Sequence, residues 1–229
     1  MAFQPIVDLR TRTVFAYEAL IRGVDGTAAE TMLAQVNEDN RYVFDQSCRV
    51  KAVELAARLA IPCYVSINFV PNAVYQAATC IRATLEAARR FHFPTEQLIF
   101  EITEHEELVD KEHLKSIIRE YQRQGFKTAI DDFGAGYSGL NLLAEFQPDI
   151  IKLDMALVRE IDHDPVRQAI VQGTLGVCRA LAIEVIAEGV ETRAELALLQ
   201  SMGIHLFQGF LFARPGFEQL PAVQWPDPG

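Results

Sequence analysis

The chain has 229 residues, of which 50% are hydrophobic and 23% are charged, the composition of a globular protein that can bury a sizeable core. Its formal net charge of −10 argues against a general nucleic-acid-binding or anionic-membrane surface, but is compatible with an anionic small ligand if metals or nearby arginines and lysines offset the field. No apolar run approaches the roughly 18 residues that span a bilayer.

The cysteines and histidines restrict the chemistry further. The four cysteines show no CxxC spacing and follow no signal peptide, which is typical of free thiols in a reducing compartment, so a cytoplasmic location is expected. The five histidines form no HExxH or His–Cys cluster, so a zinc site is not expected. Any metal should instead be held by carboxylates and amides.

The chain opens with a predicted β-hairpin. Residues 3–9 alternate apolar and polar side chains, residues 10–13 form a turn, and residues 14–21 read as a second strand, so the two strands should run antiparallel. Two helices are predicted next, over residues 28–35 and 43–59, and the acidic segment 36–40 separates them.

From residue 63 onward, predicted strands and helices alternate. The strands are predicted at residues 63–69, 97–103, 127–133, 150–154, 184–189 and 205–212. The helices are predicted at residues 72–89, 106–124, 139–145, 165–181 and 192–202. Gly125 and Gly203 are suitable helix stops, and Thr192 with Glu195 forms a capping box.

This alternation predicts an α/β protein with a mostly parallel sheet. Six strands and the opening hairpin make eight, the number that closes a (β/α)8 barrel. An open doubly wound sheet is the alternative, but no GxGxxG follows an early strand. Residues 1–229 are expected to form a single domain, and the proline-containing tail 219–229 forms either an ordered end or a fraying terminus.

Two adjacent carboxylates, Asp131 and Asp132, end one apolar strand and precede a glycine-rich turn. Two unpaired aspartates repel each other and are costly to desolvate, so a cation is expected beside them. A divalent ion with oxygen ligands is the natural candidate. A solvated loop is the alternative interpretation of this pair alone.

Polar side chains stand at or just past the carboxyl end of strand after strand, and in a barrel these ends surround one mouth. In chain order they are Glu18 and Arg22, Asn68, Glu101 and Glu104, Asp131 and Asp132, Lys152 and Asp154, Glu188 and Glu191, and Gln208. The set is strongly acidic, which suits Mg²⁺ or Mn²⁺ better than zinc. For Asp154 and Glu191, a structural ion pair is the alternative.

At this point a family resemblance is apparent. Glu18-Ala19-Leu20 followed by Arg22 resembles the signature of the EAL-domain family, the cyclic di-GMP phosphodiesterases of bacterial signalling. The other matching motifs, in order, are Gln4-Pro5-Ile6-Val7, Asn68, Phe100-Glu101-Ile102-Thr103-Glu104, Asp131-Asp132-Phe133-Gly134, Lys152-Leu153-Asp154, Ala187-Glu188-Gly189-Val190-Glu191, Gln208-Gly209-Phe210 and Pro215. The resemblance covers nearly the whole chain and implies a modified TIM barrel whose first strand runs antiparallel.

The resemblance also implies a role for each site residue in hydrolysing cyclic di-GMP to linear pGpG. It assigns the metal ligands of two Mg²⁺ or Mn²⁺ ions to Glu18, Asn68, Glu101, Asp131 and Asp132, with Asp131 bridging. It assigns catalysis to Lys152, which holds the attacking water or the developing charge, and to Glu188, which accepts the water's proton or ligates a metal through water. It assigns substrate contacts to Gln4, Leu20, Arg22, Asp154 and Gln208, and structural support to Glu104 and Glu191, Glu104 bracing the glycine-rich loop used for dimer contact.

Two departures and two alternatives accompany this assignment. Gly139 stands where the family usually has a serine, which could loosen the loop, and Asn68 is followed by Phe69-Val70-Pro71 instead of a small polar stretch. The chain could also be a non-catalytic cyclic di-GMP receptor, or a barrel enzyme that uses Mg²⁺ on another anionic substrate. A homodimer is implied, Ca²⁺ is expected to inhibit, and a sensor domain or partner would lie outside this sequence.

Overall fold

The computed structural model describes residues 1–70, 80–103, 111–136 and 139–226. Its strands within these ranges are β1 (Ala2–Asp8), β2 (Thr13–Leu20), β3 (Tyr64–Asn68), β4 (Leu98–Thr103), β5 (Lys127–Phe133), β6 (Ile150–Leu153), β7 (Glu184–Ala187), β8 (Leu206–Phe207) and β9 (Gly216–Phe217). Its helices are α1 (Ala29–Leu33), α2 (Arg41–Arg58), α3 (Arg82–Phe91), α4 (Lys111–Arg123), α5 (Gly139–Glu145), α6 (Met155–Val158), α7 (Pro165–Leu181) and α8 (Arg193–Ser201).

Strands β1 to β8 form a closed barrel with one antiparallel strand. The strands from β2 to β8 follow one another in parallel, and β1 closes the ring by pairing antiparallel with both β2 and β8. The prediction of a TIM barrel with an antiparallel first strand is therefore confirmed, and the open-sheet alternative is wrong. The reversal follows from the tight turn after β1, where Asp8 accepts a hydrogen bond from the backbone N–H of Arg10 and Arg12 has a left-handed φ of 54°.

The barrel interior explains where the polar site lies. Its apolar layer consists of Ile6, Ala16, Ile99, Ala129, Ile150, Ile186 and Leu206. Because side chains two residues apart point to the same face of a strand, the residues two positions further toward the mouth also point inward. These residues are Gln4, Glu18, Glu101, Asp131, Lys152, Glu188 and Gln208. The barrel interior therefore has an apolar layer and, next to it on the side of the mouth, a polar layer.

The last barrel strand is shorter than expected. A strand was predicted over residues 205–212, but β8 ends at Phe207. The chain turns at Gly209 and then forms a hydrogen bond with the loop after β7, in which Leu211 N–H donates to Val190 O at 3.1 Å. A Cβ at Gly209 would lie 2.0 Å from Val190 O, so only glycine allows this approach.

Most predicted helices are present. Helices α2 and α7 match their predicted ranges closely, and Thr192 and Glu195 form the predicted capping box of α8. Helix α1 is shorter than predicted, and the helices predicted at 72–89 and 106–124 are described only from residues 80 and 111. Helix α6 and strand β9 were missed because four and two residues are too short to show periodicity.

The described part of the C-terminal segment, residues 219–226, packs on the rest of the chain, as the ordered alternative predicts for these residues. Gln224 N–H donates to Phe212 O, Arg12 donates to Pro226 O, and the guanidinium of Arg12 lies 5.8 Å from the centre of the Trp225 ring. Among the described residues, no helix has the length and apolarity needed to cross a membrane.

Candidate active site

A lysine lies at the centre of the polar layer. Lys152, on β6, is 1% exposed, and its Nζ lies 2.8 Å from Glu188 Oε1, 2.9 Å from Glu101 Oε2, 2.9 Å from Asp131 Oδ1 and 3.5 Å from Glu18 Oε1. Glu18, Glu101 and Asp131 lie on three different strands, and Glu188 directly follows a fourth, β7. The predicted ring of residues at the strand ends therefore converges on one ammonium group.

The charges of this cluster do not balance. Burial acts to lower the pKa of Lys152, but the surrounding carboxylates outweigh it and hold that pKa well above its ordinary value, so the lysine is cationic. Burial raises the pKa values of Glu101 and Glu188 well above normal, and Lys152 opposes this only in part. Among the described residues, one ammonium faces four carboxylates, which leaves excess negative charge.

Two overlapping carboxylate groups suit a divalent cation. Glu18, Glu101 and Asp131 form one group, and Asp131, Asp132 and Glu188 form the other; within each, one oxygen from every residue lies within 4.8 Å of the rest. Hard cations such as Mg²⁺ and Mn²⁺ prefer such oxygen donors, and their charge would offset the excess negative charge. The residues present therefore fit the implied metal ions, with Asp131 shared between the two groups.

A bulge in β5 explains how two consecutive aspartates face the same site. Strict alternation would point Asp131 and Asp132 to opposite faces of the sheet. The pairing of β5 with β6 shifts register between Ile130 and Phe133, and Asp132 has a left-handed φ of 53°. Such a conformation costs a non-glycine residue about 1 kcal/mol, a strain that often marks a functional site.

Hydrogen bonds on β3 orient two of the carboxylates. Ser66 Oγ donates to Glu101 Oε1 at 2.5 Å, and Asn68 Nδ2 donates to Glu18 Oε1 at 3.1 Å and to Glu101 Oε2 at 3.3 Å. Sequence reasoning assigned no role to Ser66. The sequence does show a hydroxyl side chain at Ser66, inside an apolar strand and two positions before Asn68. Side chains two positions apart in a strand point to the same face, so Ser66 and Asn68 both point inward.

The two glutamines hold Glu18 from the other side. Gln208 Nε2 donates to Glu18 Oε2 at 2.7 Å and to Gln4 Oε1 at 3.2 Å, and Gln4 Nε2 donates to Ala213 O at 3.1 Å. Both glutamines line the cavity above Lys152. In this structure Gln208 orients the Glu18 carboxylate and Gln4 holds Gln208, and the substrate contacts expected of both remain a prediction.

Two cavities meet at the carboxylates. The first, about 270 Å³, contains Lys152 and Glu188 and is rimmed by Asp154 and Glu191. The second, about 520 Å³, has a largely apolar lining that includes Leu20, Ile21, Leu33, Phe44, Phe69 and Val70 together with the polar residues Arg22, Asp45 and Asn68. Glu18 and Asp131 line both cavities. Leu20 and Arg22 are therefore beside Glu18 and Asp131, but in the neighbouring cavity.

The rim residues have local structural partners. Asp154 is the N-cap of α6 and accepts a hydrogen bond from Ala156 N–H at 2.8 Å. Glu191 lies 3.6 Å from Arg159 at an exposed edge, the arrangement of a structural ion pair. Glu104 lies outside the described residues, so its expected bracing role stays a prediction.

Gly139 allows close packing at the start of α5. A Cβ at this position would lie 2.9 Å from the Phe133 ring, which belongs to the strand that carries Asp131 and Asp132. Residues 137–138 of the loop lie outside the described residues, so whether Gly139 loosens it stays open. The structure places an aromatic ring against the Gly139 backbone, an approach that a serine side chain would obstruct.

We expect Glu101→Gln to stabilise the metal-free protein by about 1 kcal/mol at neutral pH, because it removes a buried charge that the fold disfavours. The gain should exist only above the ordinary glutamate pKa of 4.5, where the unfolded chain ionises, and vanish below it, where both states carry a neutral carboxyl. Urea unfolding from pH 4 to 8 with chelator measures this difference.

The matched control is Glu86→Gln on α3, which changes an exposed carboxylate. It should leave the free energy of unfolding unchanged across the same pH range. A Glu101→Gln protein that is no more stable than wild type at pH 7 in chelator would contradict the assignment of excess negative charge to this cluster.

A closed (β/α)8 barrel with carboxylates, an amide and a lysine gathered at the carboxyl ends of its strands defines a TIM-barrel protein with an acidic cluster that could hold divalent cations. Residues 1–215 match the family model of the EAL domain. The chain belongs to the EAL domain family.

Two curated relatives span most of the chain. The blue light- and temperature-regulated antirepressor BluF of Escherichia coli is 33% identical over 99% of this chain and 56% of its own length. The cyclic di-GMP phosphodiesterase PA2567 of Pseudomonas aeruginosa is 30% identical over 94% of this chain and 38% of its own length. The chain therefore spans about half or less of these relatives.

Solved structures of the same fold contain the nucleotide. A standalone EAL protein from Vibrio cholerae, in its c-di-GMP-bound form, is 55% identical with a TM-score of 0.95, covering 98% of this chain and 94% of that one. Klebsiella pneumoniae BlrP1, in calcium and manganese complexes with cy-diGMP, is 38% identical with a TM-score of 0.91, covering 97% of this chain and 57% of that one.

Proposed function

We propose that this protein is a metal-dependent phosphodiesterase that hydrolyses cyclic di-GMP to linear pGpG. The observation that carries the proposal is the position of Lys152 among four carboxylates where two cavities meet. A relative named as a cyclic di-GMP phosphodiesterase and two similar structures with the nucleotide bound support the choice of substrate.

The two cavities suit an extended dinucleotide. The apolar second cavity is large enough for a purine base, and Arg22 at its edge offers a cation to a phosphate or sugar. Because Glu18 and Asp131 line both cavities, a ligand that spans them would place its central phosphodiester beside the carboxylates and Lys152. We infer that Leu20 and Arg22 contact one half of the substrate and that Asp154, Gln4 and Gln208 contact the other.

Glu18, Asn68, Glu101 and Asp131 would hold one divalent ion, and Asp131, Asp132 and Glu188 surround a second position. When bound, such ions polarise a phosphodiester and make a nearby water more acidic. Lys152 supplies a fixed positive charge for the developing negative charge on phosphorus. Glu188 accepts the proton of the attacking water as the P–O3′ bond breaks, and that proton equivalent ends on the leaving 3′ oxygen.

The competing function is a cyclic di-GMP receptor without turnover, for which the antirepressor name of BluF is the relevant observation. Incubation with cyclic di-GMP and Mg²⁺ or Mn²⁺, followed by anion-exchange chromatography, separates the two. An enzyme forms pGpG and stops when the metal is chelated. Tight binding of cyclic di-GMP with no pGpG formed over hours in Mn²⁺ would instead assign the chain to the receptors.

We expect little or no turnover when Ca²⁺ replaces Mg²⁺ at saturating concentration. Ca²⁺ takes more ligands at longer and more variable distances, so it would misplace the attacking water and acidify it less. Rates measured with each ion, and then with Mg²⁺ restored to the Ca²⁺-loaded protein, check this expectation. Equal rates with the two ions would contradict a metal-activated water.

We also propose a homodimer. Helix α7 exposes four apolar side chains at helical spacing, Val166, Ile170, Val177 and Leu181, a face that a second copy would cover. Light scattering after size exclusion should give the mass of two chains, and Ile170→Glu should shift it toward one. The control Gln172→Glu adds the same charge to an exposed position of the same helix and should leave the dimer intact.

A further inference from the structure

Helix α2 carries a fully buried arginine outside the barrel. Arg49 is 0% exposed, and its guanidinium lies 5.2 Å from the ring centre of Phe69, 5.5 Å from that of Phe100 and 5.9 Å from that of Tyr121. It donates to Asp45 Oδ2 at 2.5 Å and to Tyr121 Oη at 2.7 Å. Burial raises the pKa of Tyr121 to about 12, so this hydroxyl is neutral and accepts the hydrogen bond.

The same ion pair holds the chain that follows Asn68. Asp45 Oδ1 accepts a hydrogen bond from the backbone N–H of Val70 at 3.1 Å, while the ring of Phe69 packs on Arg49. The backbone N–H of Phe69 also donates to Glu101 O at 3.0 Å. Both residues after Asn68 are therefore fixed, one by the ring contact and one by the hydrogen bond.

Fold stability alone does not account for this cluster. Removing two charges from water is costly, and well-packed apolar residues of similar volume are often as stabilising as a buried ion pair. Within the described part of the chain, Arg49 Nε finds no hydrogen-bond acceptor, which adds to the cost. The ion pair accepts a directed hydrogen bond from the backbone N–H of Val70, which apolar side chains cannot do.

We propose that Asp45 and Arg49 are positioning residues that set the orientation of the Asn68 carboxamide. Asn68 is the last residue of β3, and its amide reaches both Glu18 and Glu101. A strand end without a further contact can rotate, which would move the amide away from these carboxylates. The inference rests on the proposed function only in taking Asn68 as a ligand of a divalent ion.

The test is the double variant Asp45→Leu/Arg49→Met, which replaces the ion pair with apolar side chains. It should unfold at the same or a higher urea concentration than wild type, yet bind Mn²⁺ about tenfold more weakly by calorimetry without nucleotide, the scale for outer residues that orient metal ligands. The variant Asp45→Asn/Arg49→Met restores an acceptor oxygen for Val70 N–H and should return the affinity toward wild type.

Tyr121→Phe is the matched control, because it removes a hydrogen bond to Arg49 and leaves the Asp45–Val70 bond in place. It should lower stability without changing Mn²⁺ affinity. Unchanged Mn²⁺ affinity in Asp45→Leu/Arg49→Met would overturn the inference and leave the proposed function standing. If wild-type protein binds Mn²⁺ but forms no pGpG, the proposed function is wrong and the positioning role can still hold. If wild-type protein binds no Mn²⁺, both the proposed function and the positioning role are wrong.

Discussion

Asp131→Ala is expected to abolish turnover and to remove Mn²⁺ binding at both carboxylate groups, because Asp131 is the residue the two groups share. Loss of an inner oxygen ligand from a hard cation leaves a site with too little charge to hold it. Calorimetric titration with Mn²⁺ measures affinity and stoichiometry together. Glu18 belongs to one group only, so Glu18→Ala should abolish turnover while one weak site persists.

Asp154→Asn serves as the control for Asp131→Ala. Asp154 lines the same cavity but belongs to neither carboxylate group, and its oxygen caps α6. Mn²⁺ affinity should be unchanged in this variant, with at most a small loss of stability, about 1 kcal/mol for a weakened cap. Wild-type Mn²⁺ affinity in both Asp131→Ala and Glu18→Ala would contradict the two-ion assignment.

Lys152→Ala is expected to reduce the rate by about a hundredfold or more in saturating Mn²⁺, the scale of one lost electrostatic stabiliser. Its affinity for cyclic di-GMP should fall far less, since Lys152 is not needed to recognise bases or ribose. In chelator the variant should also be less stable than wild type, because four carboxylates lose their shared cation.

Glu188→Gln should match Lys152→Ala in rate, because an amide keeps the shape of the side chain but cannot accept the proton. The control is Glu191→Gln, an equivalent change at the exposed edge of the same loop, which should keep most of the activity. Single-turnover rates and nucleotide affinities for all three variants separate catalysis from binding. If neither Lys152→Ala nor Glu188→Gln slows turnover, their catalytic roles are wrong.

Much of the site could be predicted from sequence because side chains alternate between the inner and the outer face along each strand of the barrel. Glu101 and Lys152 each follow an inward apolar residue by two positions, so alternation places them on the inner face once the strands are identified. The strand count then places their ends at one mouth. The extent of β8 could not be predicted in this way, because the chain leaves the sheet through a contact with Val190, a residue in another loop.

Other features are invisible to local patterns. Asp45 and Arg49 have the i, i+4 spacing of an exposed helical ion pair, and only the packing of Phe69, Phe100 and Tyr121 around them makes the pair a buried one. Val43 is an apolar residue near the start of the same helix, yet it is 64% exposed. Burial depends on what lies opposite a residue, which helical periodicity does not report.

The barrel, its antiparallel first strand and the inward direction of most site residues could be predicted from the amino-acid sequence, because strand periodicity and turn chemistry act between neighbours in the chain. Which of those residues meet depends on the three-dimensional fold. The bulge that turns Asp132 toward the site depends on the pairing of β5 with β6, and the four carboxylates on Lys152 and the bonds from Gln208 to Glu18 and Gln4 depend on closing the sheet. Closure brings Gln4 and Gln208, which are 204 positions apart, into hydrogen-bond contact, and no local pattern encodes that distance.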